Sequence, residues 1–240
     1  MTTARAAAGL GPRERSDPRS RLLGAIVSVA GPIVLLGLAL LLLFLPVYMH
    51  AALDAAGSAE ALGVSPPEAH ALSDRTVAEL FLGPGSFDFA GPTGERFYGG
   101  EEAAHLRDVR LVLLSFLGIV LVSSLALAGA LLRHRGHTQV WRALARGGAL
   151  LAGVVLALGL FAAVAFELVF EVFHRVLFPG GNWAFDPTSQ RLVQLYPLPF
   201  WQLTGAALGL LAVGLGLATW LLGRRRAANL ERRRRERHER

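Results

Sequence analysis

Four blocks of apolar residues, nearly free of charge, decide what this chain can become. They occupy residues 22–44, 111–132, 148–170 and 200–222. Hydrocarbon offers a backbone amide no hydrogen-bond partner, so a segment that crosses a bilayer must satisfy itself as a helix or a closed barrel. The 23 residues of the first block reach roughly 35 Å as a helix, against a hydrocarbon core of about 30 Å. The chain therefore reads as an all-α integral membrane protein of four transmembrane helices. The first block is longer than the apolar core of a cleaved signal peptide and follows a 21-residue leader, so a retained anchor is expected. Gly31-Pro32 predicts a kink within it, tolerable where neighbouring helices satisfy the freed carbonyl.

Arginine distribution sets the orientation. The N-terminal tail, residues 1–21, holds five (Arg5, Arg13, Arg15, Arg19, Arg21), the segment between the second and third blocks four (Arg133, Arg135, Arg142, Arg146), and the tail at 223–240 nine. That places 18 of 24 on one side, while the other side carries 13 of the 18 acidic residues. Positive charge stays with the cytoplasm, so both termini are expected there. Two segments then face outward, at about 47–110 and 173–199. The first is punctuated by Ser65-Pro66-Pro67, Gly83-Pro84-Gly85 and Gly91-Pro92, predicting short helices such as Ser73 to Phe81 divided by turns. Trp183, Tyr196 and Trp201 suit the outer interfacial belt, and Trp141 and Trp220 the inner one.

Charge and composition also exclude function classes. A net charge of +6 could suggest nucleic acid, but the arginines sit in short runs beside the apolar blocks, where phospholipid headgroups meet them. No nucleic-acid partner is expected. With neither cysteine nor lysine there is no thiol nucleophile, no thiolate ligand and no Ser-x-x-Lys pair, and no Gly-x-Ser-x-Gly elbow occurs. Solute carriage is disfavoured because the spans offer few polar groups (Ser115, Ser123, Ser124, Thr219) near the midplane.

Two of the seven histidines stand out by position. His105 lies six residues before the second block and His174 just past the third, so antiparallel neighbours would bring both to one depth at the outer face. If the segment is helical, Glu101 and Asp108 flank His105 at i−4 and i+3. Glu167, Glu171 and His174 fall within about 60° of one another around the third helix. Ionisable groups at membrane depth are costly and point to function. The stripe Phe166, Phe170, Phe173 and Leu177 reads as packing or lipid contact. Glu171-x-x-His174 matches the spacing of carboxylate-metal bundles, with His105-x-x-Asp108 as a second half, yet the match is short and neither metal nor cofactor is expected. His50, His70, His134, His137 and His238 read as solvated surface.

At these residues the sequence resembles the lipoprotein intramolecular transacylases and their four-span bacterial relatives. The resemblance is carried by His105-Leu106-Arg107-Asp108-Val109 and by Phe173-His174-Arg175-Val176-Leu177-Phe178. It continues through Asn182-Trp183-Ala184-Phe185-Asp186-Pro187 to Leu195-Tyr196-Pro197 and Phe200-Trp201, covering most of residues 20–222. It implies an enzyme of the bacterial cytoplasmic membrane with its active site on the extracytoplasmic side and a diacylated lipoprotein as substrate. The sn-2 acyl chain of the diacylglyceryl-cysteine would move to that cysteine's α-amino group. The resemblance carries essential roles over to His105 and His174. Asp108 and Glu171 would orient the rings, Arg107 or Arg175 would add positive charge, and Asn182 and Trp183 would line a substrate groove. The alternatives are a metal-assisted or other lipid-modifying hydrolase using the same histidines, or a non-catalytic membrane scaffold.

Overall fold

A computed structural model describes residues 18–239. Arg5, Arg13, Arg15 and Arg240 lie outside the described residues. Among the described residues the helices are α1 (Pro18–Leu43), α2 (Pro46–Ala56), α3 (Ser58–Leu62), α4 (Pro66–Phe81), α5 (Gly100–His134), α6 (Thr138–Val164), α7 (Phe166–Leu177), α8 (Arg191–Leu195) and α9 (Leu198–His238). Four of them, α1, α5, α6 and α9, are long and apolar enough to cross a membrane. Their outward faces carry large apolar side chains such as Ile119, Val122, Leu125 and Leu210, as expected where the solvent is lipid. The protein is membrane-integral.

Close contacts give the direction of each long helix. Gln139 donates to the Ser20 carbonyl at 2.5 Å, and Ser28 Oγ to the Ala143 carbonyl at 3.1 Å, so α1 and α6 run parallel. Val27 packs with Ala130, whereas Gly37 lies against Val120. Positions rise on α1 as they fall on α5, which makes that pair antiparallel. The tightest seam joins α6 to α9. A Cβ on Gly148 would stand 2.6 Å from the Gly216 carbonyl oxygen, and one on Gly223 would stand 2.7 Å from that of Trp141. Small residues let backbones meet where apolar burial offers little drive for association, lipid tails being as apolar as leucine. The arginine-bearing ends of all four long helices thus share one end of the bundle.

The opposite end carries a lobe built from the segment between α1 and α5 together with α8. Ser65 opens α4 with a capping box in which Glu68 accepts from the Ser65 backbone N–H at 2.8 Å. Gly57 (φ 73°) and Gly63 (φ 70°) close α2 and α3 in the left-handed region. Met49, Leu53, Leu72, Phe87, Tyr98 and Leu195 fill the core between them. Inside it Thr76 Oγ1 and the Tyr98 hydroxyl lie 2.7 Å apart, and Ser73 Oγ meets the Tyr196 hydroxyl at 3.1 Å, so these buried hydroxyls are partnered.

Two departures from the apolar pattern position the histidines. The third block does not form one helix: α6 stops at Val164, Ala165 leaves helical geometry (φ −139°, ψ 44°), and α7 starts at Phe166. Neither glycine nor proline marks the break. Its effect is to put Glu167 in the first turn of a new helix, exposed and favoured by the helix dipole, instead of inside a span. Helix α5, in contrast, begins at Gly100, so His105 rides on the same rigid rod as the second block.

Candidate active site

The site begins with a buried carboxylate. Glu102, 4% exposed, accepts from the Gly99 N–H at 2.6 Å with one oxygen and from the Leu192 N–H at 2.6 Å with the other. The first contact caps α5 and the second pins the start of α8 to it. His105 lies three residues further along the same face, itself only 6% exposed.

His174 comes from the last turn of α7. Its Nδ1 lies 2.7 Å from the Phe170 carbonyl oxygen, one turn back. A carbonyl only accepts, so Nδ1 carries the proton and a neutral ring keeps its lone pair on Nε2. Beyond α7 the chain turns at Gly181 (φ 74°) and brings the Asn182–Phe185 stretch back toward α5. There Asn182 Nδ2 donates to Asp108 Oδ2 at 2.8 Å.

These placements bring the two imidazoles together, with ring centroids 6.2 Å apart and planes 28° from parallel. Aromatic rings wall them in. Phe178 lies 4.8 Å and Phe185 5.5 Å from His105, while Phe170 lies 4.1 Å and Trp183 5.1 Å from His174. Burial disfavours the charged form of each imidazole. It pushes His105 down to about 4, with neighbouring His174 adding to the effect and Asp108 and the Asn182 amide opposing it. His174 is lowered for the same primary reason, with its bond to the Phe170 carbonyl acting the other way. Both rings are therefore neutral at neutral pH. His105 Nδ1 is buried without a hydrogen-bond partner among the described residues, an unmatched polar atom among the aromatic rings.

The other expected residues divide. Asn182 and Trp183 stand beside the histidines, and Asp108 reaches them through Asn182. Glu171 does not orient His174: it pairs with Arg175 at 2.5 Å, an i,i+4 ion pair on the exposed face of α7. Arg175 is thereby turned outward too. The Arg107 guanidinium faces the Ser86 carbonyl at 3.5 Å, on the loop after α4 and not on the imidazoles. The Glu171-x-x-His174 spacing assembles no ligand set, and among the described residues no three His, Asp or Glu side chains converge as metal ligands. His50 and His70 are more ordered than solvated surface: they stack at 4.2 Å, each bonded to an aspartate across α2 and α4 (His50–Asp74 2.9 Å, His70–Asp54 2.8 Å).

Sequence reasoning gave no role to Glu102, nor to Phe178 and Phe185, although both phenylalanines lie in the motifs quoted above. The two phenylalanines lie in irregular chain, where no periodicity flags them. Glu102 had no such signal either: its N-cap, Gly99, has no side chain to complete a capping box, and its second partner, Leu192, is 90 positions away.

Comparison with known proteins bears on the family and the fold. Residues 26–201 match the family described as "Lipoprotein intramolecular transacylase Lit". An uncharacterised protein of Aquifex aeolicus (strain VF5) is 32% identical over 136 residues, 55% of this chain. The match spans 60% of that relative's length. The solved structure of the membrane-integral lipoprotein intramolecular transacylase Lit from Bacillus cereus superposes with a TM-score of 0.77 at 20% identity, covering 91% of this chain and 98% of that one. A variant of the same protein with one histidine replaced by arginine gives 0.71 at 19% identity, covering 91% and 94%. At such identity the superposition speaks for the fold, and the family match extends over 176 of 240 residues. The chain belongs to the Lit family of lipoprotein intramolecular transacylases.

Proposed function

We propose that this protein moves the sn-2 acyl chain of a diacylglyceryl-cysteine lipoprotein onto the α-amino group of the same cysteine. The product is an N-acyl, S-monoacylglyceryl lipoprotein. The observation that carries the reading is the pair of buried imidazoles 6.2 Å apart within an aromatic chamber. The chamber can take an acyl ester and leaves two ring nitrogens to handle one proton.

His174 suits the base. With Nδ1–H committed to the Phe170 carbonyl, Nε2 takes the proton from the amine as the nitrogen attacks the ester carbonyl. The C–N bond forms, the bond from the carbonyl carbon to the sn-2 oxygen breaks, and the proton returns to that oxygen. No proton is gained or lost overall and no acyl-enzyme is needed, in keeping with the lack of a nucleophile motif. His105, held neutral, donates its N–H to the developing oxyanion, the role an imidazole with a depressed pKa can fill without being charged. Asn182 and Asp108 position His105, and Trp183 and Phe178 exclude water that would otherwise hydrolyse the ester. The substrate's two acyl chains and the exposed apolar stripe Leu168, Val172 and Val176 on α7 fit a site reached from the outer leaflet.

The test is expression in bacterial cells lacking any N-acylating enzyme, with lipopeptides identified by mass spectrometry. The lyso form is expected with the wild type and not with His105→Ala or His174→Ala. Lipoproteins that stay diacylated in the presence of well-expressed wild type would end the assignment.

A further inference from the structure

At the arginine-rich end, remote from the histidines, the structure opens a groove of about 570 Å³ between α1 and α6. Small residues create it. Gly24 and Ala25 on α1 face Gly147 on α6, and the helices touch where a Cβ on Gly147 would come within 2.7 Å of the Ser28 carbonyl oxygen. The groove is bordered by two guanidinium groups, Arg21 and Arg146, and by the Gln139 amide. A Cβ on Gly24 would sit 3.5 Å from Gln139 Nε2 and 3.8 Å from Arg146 Nη2, so these donors overhang a floor without side chains.

Three neighbouring arginines are engaged elsewhere. Arg142 pairs with Glu231 at 2.6 Å, Arg224 lies over Trp220, and Arg226 lies over Trp141. Arg146 makes no ion pair or hydrogen bond among the described residues and is directed over the groove. Leu150, one turn deeper on α6 and 63% exposed, continues the groove as apolar surface toward the bundle middle. Two planar donors above a small-residue channel that turns apolar match one chemical class: a phosphodiester with an attached acyl chain. Guanidinium forks hydrogen-bond phosphate oxygens, and the chain can lie along Ala25 and Leu150.

We propose that this groove binds the phosphate headgroup of an anionic glycerophospholipid of the leaflet at the arginine-rich end, with one acyl chain lying between α1 and α6. The site is independent of the histidine chemistry, and its failure would leave that reading intact.

The test uses the full chain purified in a neutral detergent. Its thermal unfolding is followed with added phosphatidylglycerol, with phosphatidylcholine, or with inorganic phosphate. Phosphatidylglycerol is expected to stabilise the wild type in a saturable way, and the other two are not. Each arginine near an anionic lipid surface contributes enough that Arg146→Ala weakens half-saturation roughly five-fold, and Arg21→Ala with Arg146→Ala roughly twenty-five-fold. Ala25→Leu, which fills the channel from an exposed position, should weaken it too, whereas Arg142→Ala should not. Equal stabilisation of the wild type and the double variant, or equal stabilisation by inorganic phosphate and lipid, would overturn the proposal.

Discussion

An imidazole in an apolar chamber resists protonation because the charged form loses hydration it cannot replace. Both rings therefore take up a proton only below the usual imidazole value of 6.5, His105 at about 4. The substrate amine, an α-ammonium titrating near 8, must also lose a proton to react. The logarithm of the rate at low substrate should rise with slope one up to about pH 8, and turn to slope two only below 6.5, where His174 begins to protonate. A pH–rate profile of the purified protein checks this, and a break at or above 6.5 speaks against His174 as the base. Removing either ring should lower the rate by roughly 10²–10⁴-fold, the usual worth of a general acid or base. Glu171→Ala should change it by less than about three-fold, since an exposed ion pair contributes only roughly 0–1 kcal/mol. Sequence position alone made both histidines visible. The aim of Glu171 was not legible: helical spacing offered it both His174 and Arg175, and the charged partner on the exposed face of α7 prevailed.

Among the elements, the break at Ala165 and the carboxylate of Glu102 do most to build the site. The break frees α7 from the direction of α6 and lets its last turn reach α5. Glu102 joins α5 to α8, two elements whose sequences give no sign of their pairing. Truncating it leaves the buried Leu192 N–H unmet, whereas the N–H of exposed Gly99 can turn to water, and a hydrogen bond to a charged acceptor is worth about 1.5–3 kcal/mol. Glu102→Ala should destabilise the lobe by about 1.5–3 kcal/mol and lower the temperature at which activity is lost, measured by thermal inactivation in detergent. Gly216→Leu should act on the bundle instead. Its side chain would meet the Gly148 carbonyl, where even a Cβ stands at 2.7 Å, and earlier loss of helical circular dichroism on heating is expected. The long helices were legible because apolar length is a bilayer requirement. The break was not, because no glycine or proline produces it and only the cost of placing Glu167 in hydrocarbon hinted that the third block ends early.

For the whole molecule, the long helices gather arginine at one end and the histidine chamber at the other, an arrangement arginine counting alone anticipates. Because the chain has no cysteine, single cysteines report sidedness cleanly. With Ser86→Cys, on the lobe, a membrane-impermeant maleimide should label intact spheroplasts, whereas with Arg225→Cys, on α9, it should label only after permeabilisation. The reverse pattern would turn the chamber toward the cytoplasm. What composition could not convey is the closed neighbourhood of aromatic rings, because its members come from α5, α7 and the turn after α7 and meet only in three dimensions. The most direct measurement presents the purified protein with a synthetic diacylated lipopeptide whose sn-2 chain alone carries a heavy isotope. Mass spectrometry should find the label moved onto the cysteine nitrogen at unchanged total mass, with no transfer by the His105→Ala, His174→Ala protein. Label released as free fatty acid would mean hydrolysis, and transfer by the doubly substituted protein would mean that the two imidazoles are not the machinery.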